Sequence, residues 1–277
     1  VSGGAPDPLA ALDAAAVRRW TPLPGGGRLA WRQWGAGRPL LLLHGASGSW
    51  AHWVRNVPAL AARRRVLAPD LPGFGDSDLP PGPPSAEALA APVAEGLDAL
   101  EIGALDVAGF SMGGIVAGLL AARLGGRVGT LVLAGPNGMA LPHDPLPPLE
   151  RVPPGADAAA AAEVHRTNLR RLMLADPAAA DDLAVRVHAH NLARARFRSA
   201  GIPEGDALLR ALAAVRAARL VGIWGARDAF AAGHLEARRL TLARIRPDVA
   251  FHVVPGAGHW VIYEAAAAVD AILAEAL

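Results

Sequence analysis

Apolar positions along the chain gather into short continuous runs, separated by stretches where they recur at helical spacing. Pro39 to Leu43, Arg65 to Ala68, Leu105 to Ala108, Val128 to Ala134 and Arg219 to Trp224 are too short for helices and mostly apolar on both faces. Runs of this kind predict buried strands of a parallel sheet. Arg28 to Trp34 alternates instead, as an edge or half-exposed strand does, and Val249 to Val254 supplies a last strand. Residues 49–62, 85–102, 234–245 and 261–276 read as helices, the second capped near Ser85. Another helix follows from Gly114 to Ala122. Strands alternating with helices call for a parallel sheet covered on both faces. Residues 1–20, rich in Ala, Gly and Pro, read as a loose lead-in.

The alternation breaks once. Residues 139–205 are proline-rich and then helical, with no strand-like run, and Ala158 to Ala162 reads as a helix start. The expected organisation is a core of residues 1–138 and 206–277 with a helical cap, 139–205, inserted into it. That insertion follows a strand's carboxyl end, the side on which open α/β sheets place their sites.

Composition narrows this picture a little. The 277 residues, 52% hydrophobic, suffice for one sizeable α/β domain with an insertion. Cysteine is absent, which excludes disulfides and thiolate metal sites. No stretch of about 18 apolar residues predicts a membrane span. The first residues carry no basic segment followed by an apolar one, so a cytoplasmic location is the default expectation. All 27 basic residues are arginine and the formal net charge is +2, which gives a high isoelectric point. Apart from Arg63-Arg64-Arg65 they are scattered and not interleaved with aromatics, so no nucleic-acid partner is expected. A bias of the coding sequence towards Ala, Arg, Gly and Pro accounts for them.

The candidate chemistry starts at Gly109-Phe110-Ser111-Met112-Gly113, which sits directly between a predicted strand and a predicted helix. G-x-S-x-G in that context places a serine at the apex of a sharp turn, and the glycines remove side chains where backbone approaches backbone. Ser111 is therefore the expected nucleophile. A serine hydroxyl needs a base, and the base needs an orienting carboxylate. The strand ending at Trp224 is followed by Gly225-Ala226-Arg227-Asp228, and the strand ending at Val254 by Pro255-Gly256-Ala257-Gly258-His259. The chain order Ser111, Asp228, His259 suits this arrangement. Asp206 and Asp270 fall on predicted helices and Asp248 at the wrong end of its strand. The N–H of Met112, at the helix start, and that of Ala46, in His44-Gly45-Ala46-Ser47-Gly48, are the expected oxyanion donors. Ser47, Phe110, Met139 and Trp260 are expected pocket residues, and ordinary core packing is the alternative for the apolar ones.

Together these motifs resemble the α/β-hydrolase superfamily over essentially the whole chain: His44-Gly45, Asp70-x-x-Gly73-x-Gly75-x-Ser77, the Ser111 turn, Asp228 and Gly258-His259. The resemblance implies a mostly parallel sheet of about eight strands, a variable cap and no cofactor. Serine at the turn sets the chain apart from relatives with aspartate there. Within the superfamily, Ser111-Met112-Gly113-Gly114, Gly135-Pro136-Asn137-Gly138-Met139, Trp50-x-x-x-x-Arg55-Asn56 and Gly258-His259-Trp260 are similar to the meta-cleavage-product hydrolases, which cleave carbon–carbon bonds. That branch commonly has asparagine before the nucleophile, where this chain has Phe110. It also binds the substrate carboxylate with a cap arginine. Alignment from Asp176 puts the equivalent at Arg186 or His188. The departures lean the expected substrate towards a small, apolar or aromatic ester or ketone. The function implied is a serine hydrolase of carboxylic esters or of vinylogous diketone carbon–carbon bonds, acting through an acyl-enzyme. A perhydrolase or acyltransferase with the same residues and a non-catalytic ligand-binding member are the alternatives. Oligomeric state stays open.

Overall fold

A computed structural model describes residues 7–143, 145–199, 201–203 and 205–277. Eight strands form one sheet: β1 (Val17–Pro22), β2 (Arg28–Trp34), β3 (Pro39–Leu43), β4 (Arg65–Pro69), β5 (Leu105–Phe110), β6 (Val128–Ala134), β7 (Arg219–Gly225) and β8 (Ala250–Val254). Their spatial order is β1-β2-β4-β3-β5-β6-β7-β8. Only β2 runs against its neighbours; every pairing from β4 to β8 is parallel.

Continuous apolar runs are what such a sheet demands, because both faces are covered. Along β3, Leu41 and Leu43 join one core with Leu67, Val107 and Leu133. Leu40 and Leu42 join a second core on the opposite face with Val66, Ala108 and Val132. Each fully buried leucine contributes about 1.5–3 kcal/mol relative to exposure. The helix Met112–Leu124 lies on the first face and packs beside Ala86–Ala99, whose N-cap Ser85 accepts from Ala88 N–H at 3.0 Å.

Several expectations shift on folding. Residues 7–20 are not loose: Pro8–Ala14 is a helix capped by Asp7, and β1 pairs with β2. Their register was hidden because β1 lies at the sheet edge and alternates little, with Val17, Arg18, Arg19 and Trp20 all exposed. The expected helix over 49–62 is a 3-10 turn, Trp50–Trp53, followed by Val57–Ala61. The final helix is divided into Val261–Glu264 and Ala266–Ala276.

Residues 139–157 run without regular structure among the described residues. The helix Ala158–Asn168, a π turn Leu169–Met173 and the helix Asp182–Ala193 follow, and no strand interrupts the described part of 139–205. This segment is fastened to core loops at named points. Asp181 accepts from Arg55 at 2.5 Å and from Tyr263 Oη at 2.6 Å. Glu264 accepts from the N–H groups of Ala175, Asp176 and Gly258 at 3.1, 2.6 and 2.6 Å. Charge-assisted bonds of this kind are stronger than neutral ones.

Candidate active site

β5 ends at Phe110, and the chain turns at once into the helix Met112–Leu124. Ser111 forms the corner with φ 52° and ψ −121°, a left-handed conformation costly for a side-chain residue. Its N–H donates to Ala134 O at 2.8 Å, which pins the corner to the end of β6. The flanking glycines are there because nothing larger fits. A Cβ at Gly109 would stand 2.2 Å from Gly113 O, and one at Gly113 would stand 2.4 Å from His44 O.

Three strand ends bring the chemistry together. His259 Nε2 lies 3.0 Å from Ser111 Oγ, and His259 Nδ1 lies 2.9 and 3.0 Å from the two oxygens of Asp228. A carboxylate can only accept, so Nδ1 carries the proton, and Nε2 is left as the acceptor for the serine hydroxyl. Asp228 and His259 are buried. Phe230 N–H donates to Asp228 Oδ1 at 2.8 Å and fixes the carboxylate's rotation.

The loop after β3 is built around two buried histidines. His44 Nε2 accepts from Leu71 N–H at 2.8 Å, so its Nδ1–H donates to Gly45 O at 2.8 Å. His52 Nδ1 accepts from Gly45 N–H at 3.2 Å. Burial, the largest influence on each, pushes both below the ordinary histidine range, so both are neutral and keep these tautomers. They shape the turn that carries Ala46 and Ser47, the latter at φ 50°. Neither Ala46 N–H nor Met112 N–H meets a protein acceptor among the described residues. His52 escaped the sequence reading because no motif marks it; its role depends on packing against Phe110 and Trp260, at centroid distances of 5.4 and 5.2 Å.

A cavity of about 460 Å³ opens beside Ser111 and Ala46. Met139 and Asn137 are in its wall, with Phe230 and Arg238, which no motif marks. Other expected pocket residues lie elsewhere. Phe110 is fully buried beneath the site, with its ring 5.2 Å from that of His259. Trp260 is buried too, stacked on Tyr263 at 4.2 Å, and its Nε1–H donates to His52 O. For both, packing decided the position, since a large apolar ring gains most when enclosed on all sides. Arg186 is exposed and pairs with Asp7, so it does not reach the cavity. His188 sits on the inward side of the same helix, its Nδ1 3.2 Å from that of His165. Burial and then His165 push it down to about 4, so it is neutral at pH 7. Ser47 adjoins Ala46 without standing in the cavity wall. Among the described residues, no group of three or more His, Asp or Glu side chains could hold a metal ion, and no helix is long and apolar enough to cross a membrane.

Residues 40–272 match the model of the alpha/beta hydrolase family. The chain is 36% identical over 143 residues to the 2-hydroxy-6-oxo-2,4-heptadienoate hydrolase of Pseudomonas putida, a stretch covering 50% of this chain and 49% of that one. It thus spans about half or less of the length of the curated relatives it matches first. Among solved structures, a meta-cleavage product hydrolase from Pseudomonas fluorescens superposes with a TM-score of 0.72 at 25% identity, covering 93% of this chain and 96% of that one. A thermophilic esterase from Thermogutta terrifontis does so with a TM-score of 0.70 at 26% identity, covering 94% and 97%.

Proposed function

The chain belongs to the alpha/beta hydrolase family, and we propose that within it this protein is a serine hydrolase of small carbonyl compounds, either carboxylic esters or carbon–carbon bonds next to a ketone. The observation that carries this reading is the continuous hydrogen-bonded chain from Ser111 through His259 to Asp228, with the serine held at a strained corner. Ser111 Oγ attacks the carbonyl carbon while His259 Nε2 takes its proton. The N–H groups of Met112 and Ala46 stabilise the oxyanion, and each such donor is worth roughly 10²–10³ in turnover. The bond to the leaving group breaks, and His259 returns the proton to it. Water then attacks the acyl-enzyme by the same route, giving the acid and free Ser111. Asp228 holds the productive tautomer and stabilises the imidazolium as it forms. Residues 139–205 serve as a cap over this site.

The relatives named as a 2-hydroxy-6-oxo-2,4-heptadienoate hydrolase and as an esterase both fit this machinery. The experiment is intact mass after fluorophosphonate treatment, on wild type and Ser111→Ala in parallel. A single adduct on wild type alone is expected. No adduct on the folded wild-type protein would refute an activated Ser111.

A further inference from the structure

Among the described residues, the wall of the cavity beside Ser111 holds one arginine that the triad chemistry does not use. Arg238, on the helix Leu235–Ile245, lines this cavity and is 2% exposed. Its guanidinium is steered by backbone carbonyls: Phe230 O at 2.6 Å, His234 O at 3.2 Å and Pro142 O at 3.4 Å. Carbonyls orient a cation without cancelling its charge. Among the described residues no carboxylate pairs with it, and its buried Nε–H has no acceptor. Burial lowers its proton affinity, and Asp228, already engaged by His259, is the anion that opposes this. A buried, unpaired cation is costly to keep where a methionine would fill the space. It becomes favourable once an anion enters the cavity.

The cavity's side of the reaction follows from its wall. The leaving group must receive a proton from His259 Nε2, 3.0 Å from Ser111 Oγ. Phe230, in the cavity wall, covers the histidine ring at a centroid distance of 4.3 Å. The cavity therefore suits the part of the substrate that needs no proton, the acyl group.

We propose that Arg238 makes the acyl side of this site selective for a carboxylate, so that the preferred substrates are half-esters of dicarboxylic acids. This rests on the serine-hydrolase reading above. It also replaces the sequence-based lean towards an apolar or aromatic ester or ketone. In the reaction, Ser111 Oγ bonds to the acyl carbon, the alcohol leaves with the proton from His259, and water releases the diacid.

The test compares mono-p-nitrophenyl glutarate with p-nitrophenyl hexanoate, which fills similar space without charge. Wild type is expected to favour the glutarate by about tenfold or more in kcat/KM. Arg238→Met is expected to bring that ratio close to one, Arg238→Lys to retain most of it, and free glutarate to inhibit wild type competitively. Equal or better use of the hexanoate by wild type overturns the proposal without any variant, which covers the case in which Arg238→Met fails to fold. A parallel fall on both esters in Arg238→Met, with the ratio kept, overturns it as well and makes Arg238 a support for Asp228. Fluorophosphonate labelling separates the two levels. Labelled Ser111 with no glutarate preference removes only this proposal, and an unlabelled protein removes the serine-hydrolase reading and this proposal together.

Discussion

Replacing Asp228 with asparagine changes almost no volume, so its effect isolates charge and hydrogen-bond direction. Two consequences follow from the geometry. The imidazolium formed at His259 loses a carboxylate whose oxygens lie 2.9 and 3.0 Å from Nδ1. Charge centres about 4 Å apart at an effective dielectric of 20 interact by about 4 kcal/mol, which is roughly 10³ in rate. The second consequence concerns the tautomer. Phe230 N–H, 2.8 Å from Oδ1, selects the rotamer in which asparagine keeps its oxygen there. The new amide NH₂ then occupies the Oδ2 position, 3.0 Å from Nδ1, and presents a donor that competes with the Nδ1–H bond to Oδ1. The histidine is pushed towards carrying its proton on Nε2, facing Ser111, where it cannot act as a base. A triad in an unrelated fold loses about 10⁴ on the same change. The expected loss in kcat/KM for a p-nitrophenyl ester is therefore about 10³–10⁴, with far-ultraviolet circular dichroism and Tm close to wild type. The fluorophosphonate labelling rate should fall in step, since it uses the same activated hydroxyl. A folded Asp228→Asn that retains more than about a tenth of wild-type activity would refute the assignment of Asp228 as the orienting carboxylate.

Ser111→Ala is expected to abolish turnover and adduct formation while remaining folded, and His259→Ala to come close to it; stopped assays and intact mass read both. Gly113→Ala places a methyl group 2.4 Å from His44 O and 2.5 Å from Leu43 O, both backbone atoms that cannot swing aside. It should cost about 1–3 kcal/mol of stability and slow labelling by about 10² or more, through displacement of the loop proposed to hold the oxyanion; a normal labelling rate contradicts that. Asp270→Asn tests a stability effect away from the chemistry. Burial raises the Asp270 carboxyl above its ordinary range despite the hydrogen bond from Asn56. The folded state therefore favours the protonated form, and stability is lost as pH rises through the folded pKa. The variant should show a higher Tm than wild type at pH 7 and no gain below about pH 4, where the carboxyl is protonated in both states; a lower Tm at pH 7 reverses the sign and refutes it.

Much of this molecule was written locally. The runs Leu40 to Leu43 and Val128 to Ala134 announce buried parallel strands because every one of their side chains must face a covered side. Gly109 and Gly113 announce the corner between them because the backbone contacts there are independent of distant sequence. Asp228 and His259 could be picked from many acids and nine histidines because each stands in the loop just past a strand's carboxyl end, and a parallel sheet gathers all such loops at one edge. What tertiary structure alone decided is which side chains look into the space those loops enclose. Trp260 is adjacent in sequence to His259, yet it turns down onto Tyr263 into the core. Arg186 and His188 are two residues apart on one helix, so they point to different sides, one to Asp7 at the surface and one inwards. Arg238 lies ten residues past Asp228 with no motif around it, and only the fold of the intervening loop brings it to the cavity wall. Strand and turn signals are short-range and repeat along the chain. The lining of a cavity is set by contacts among segments far apart in sequence, and no local pattern records them.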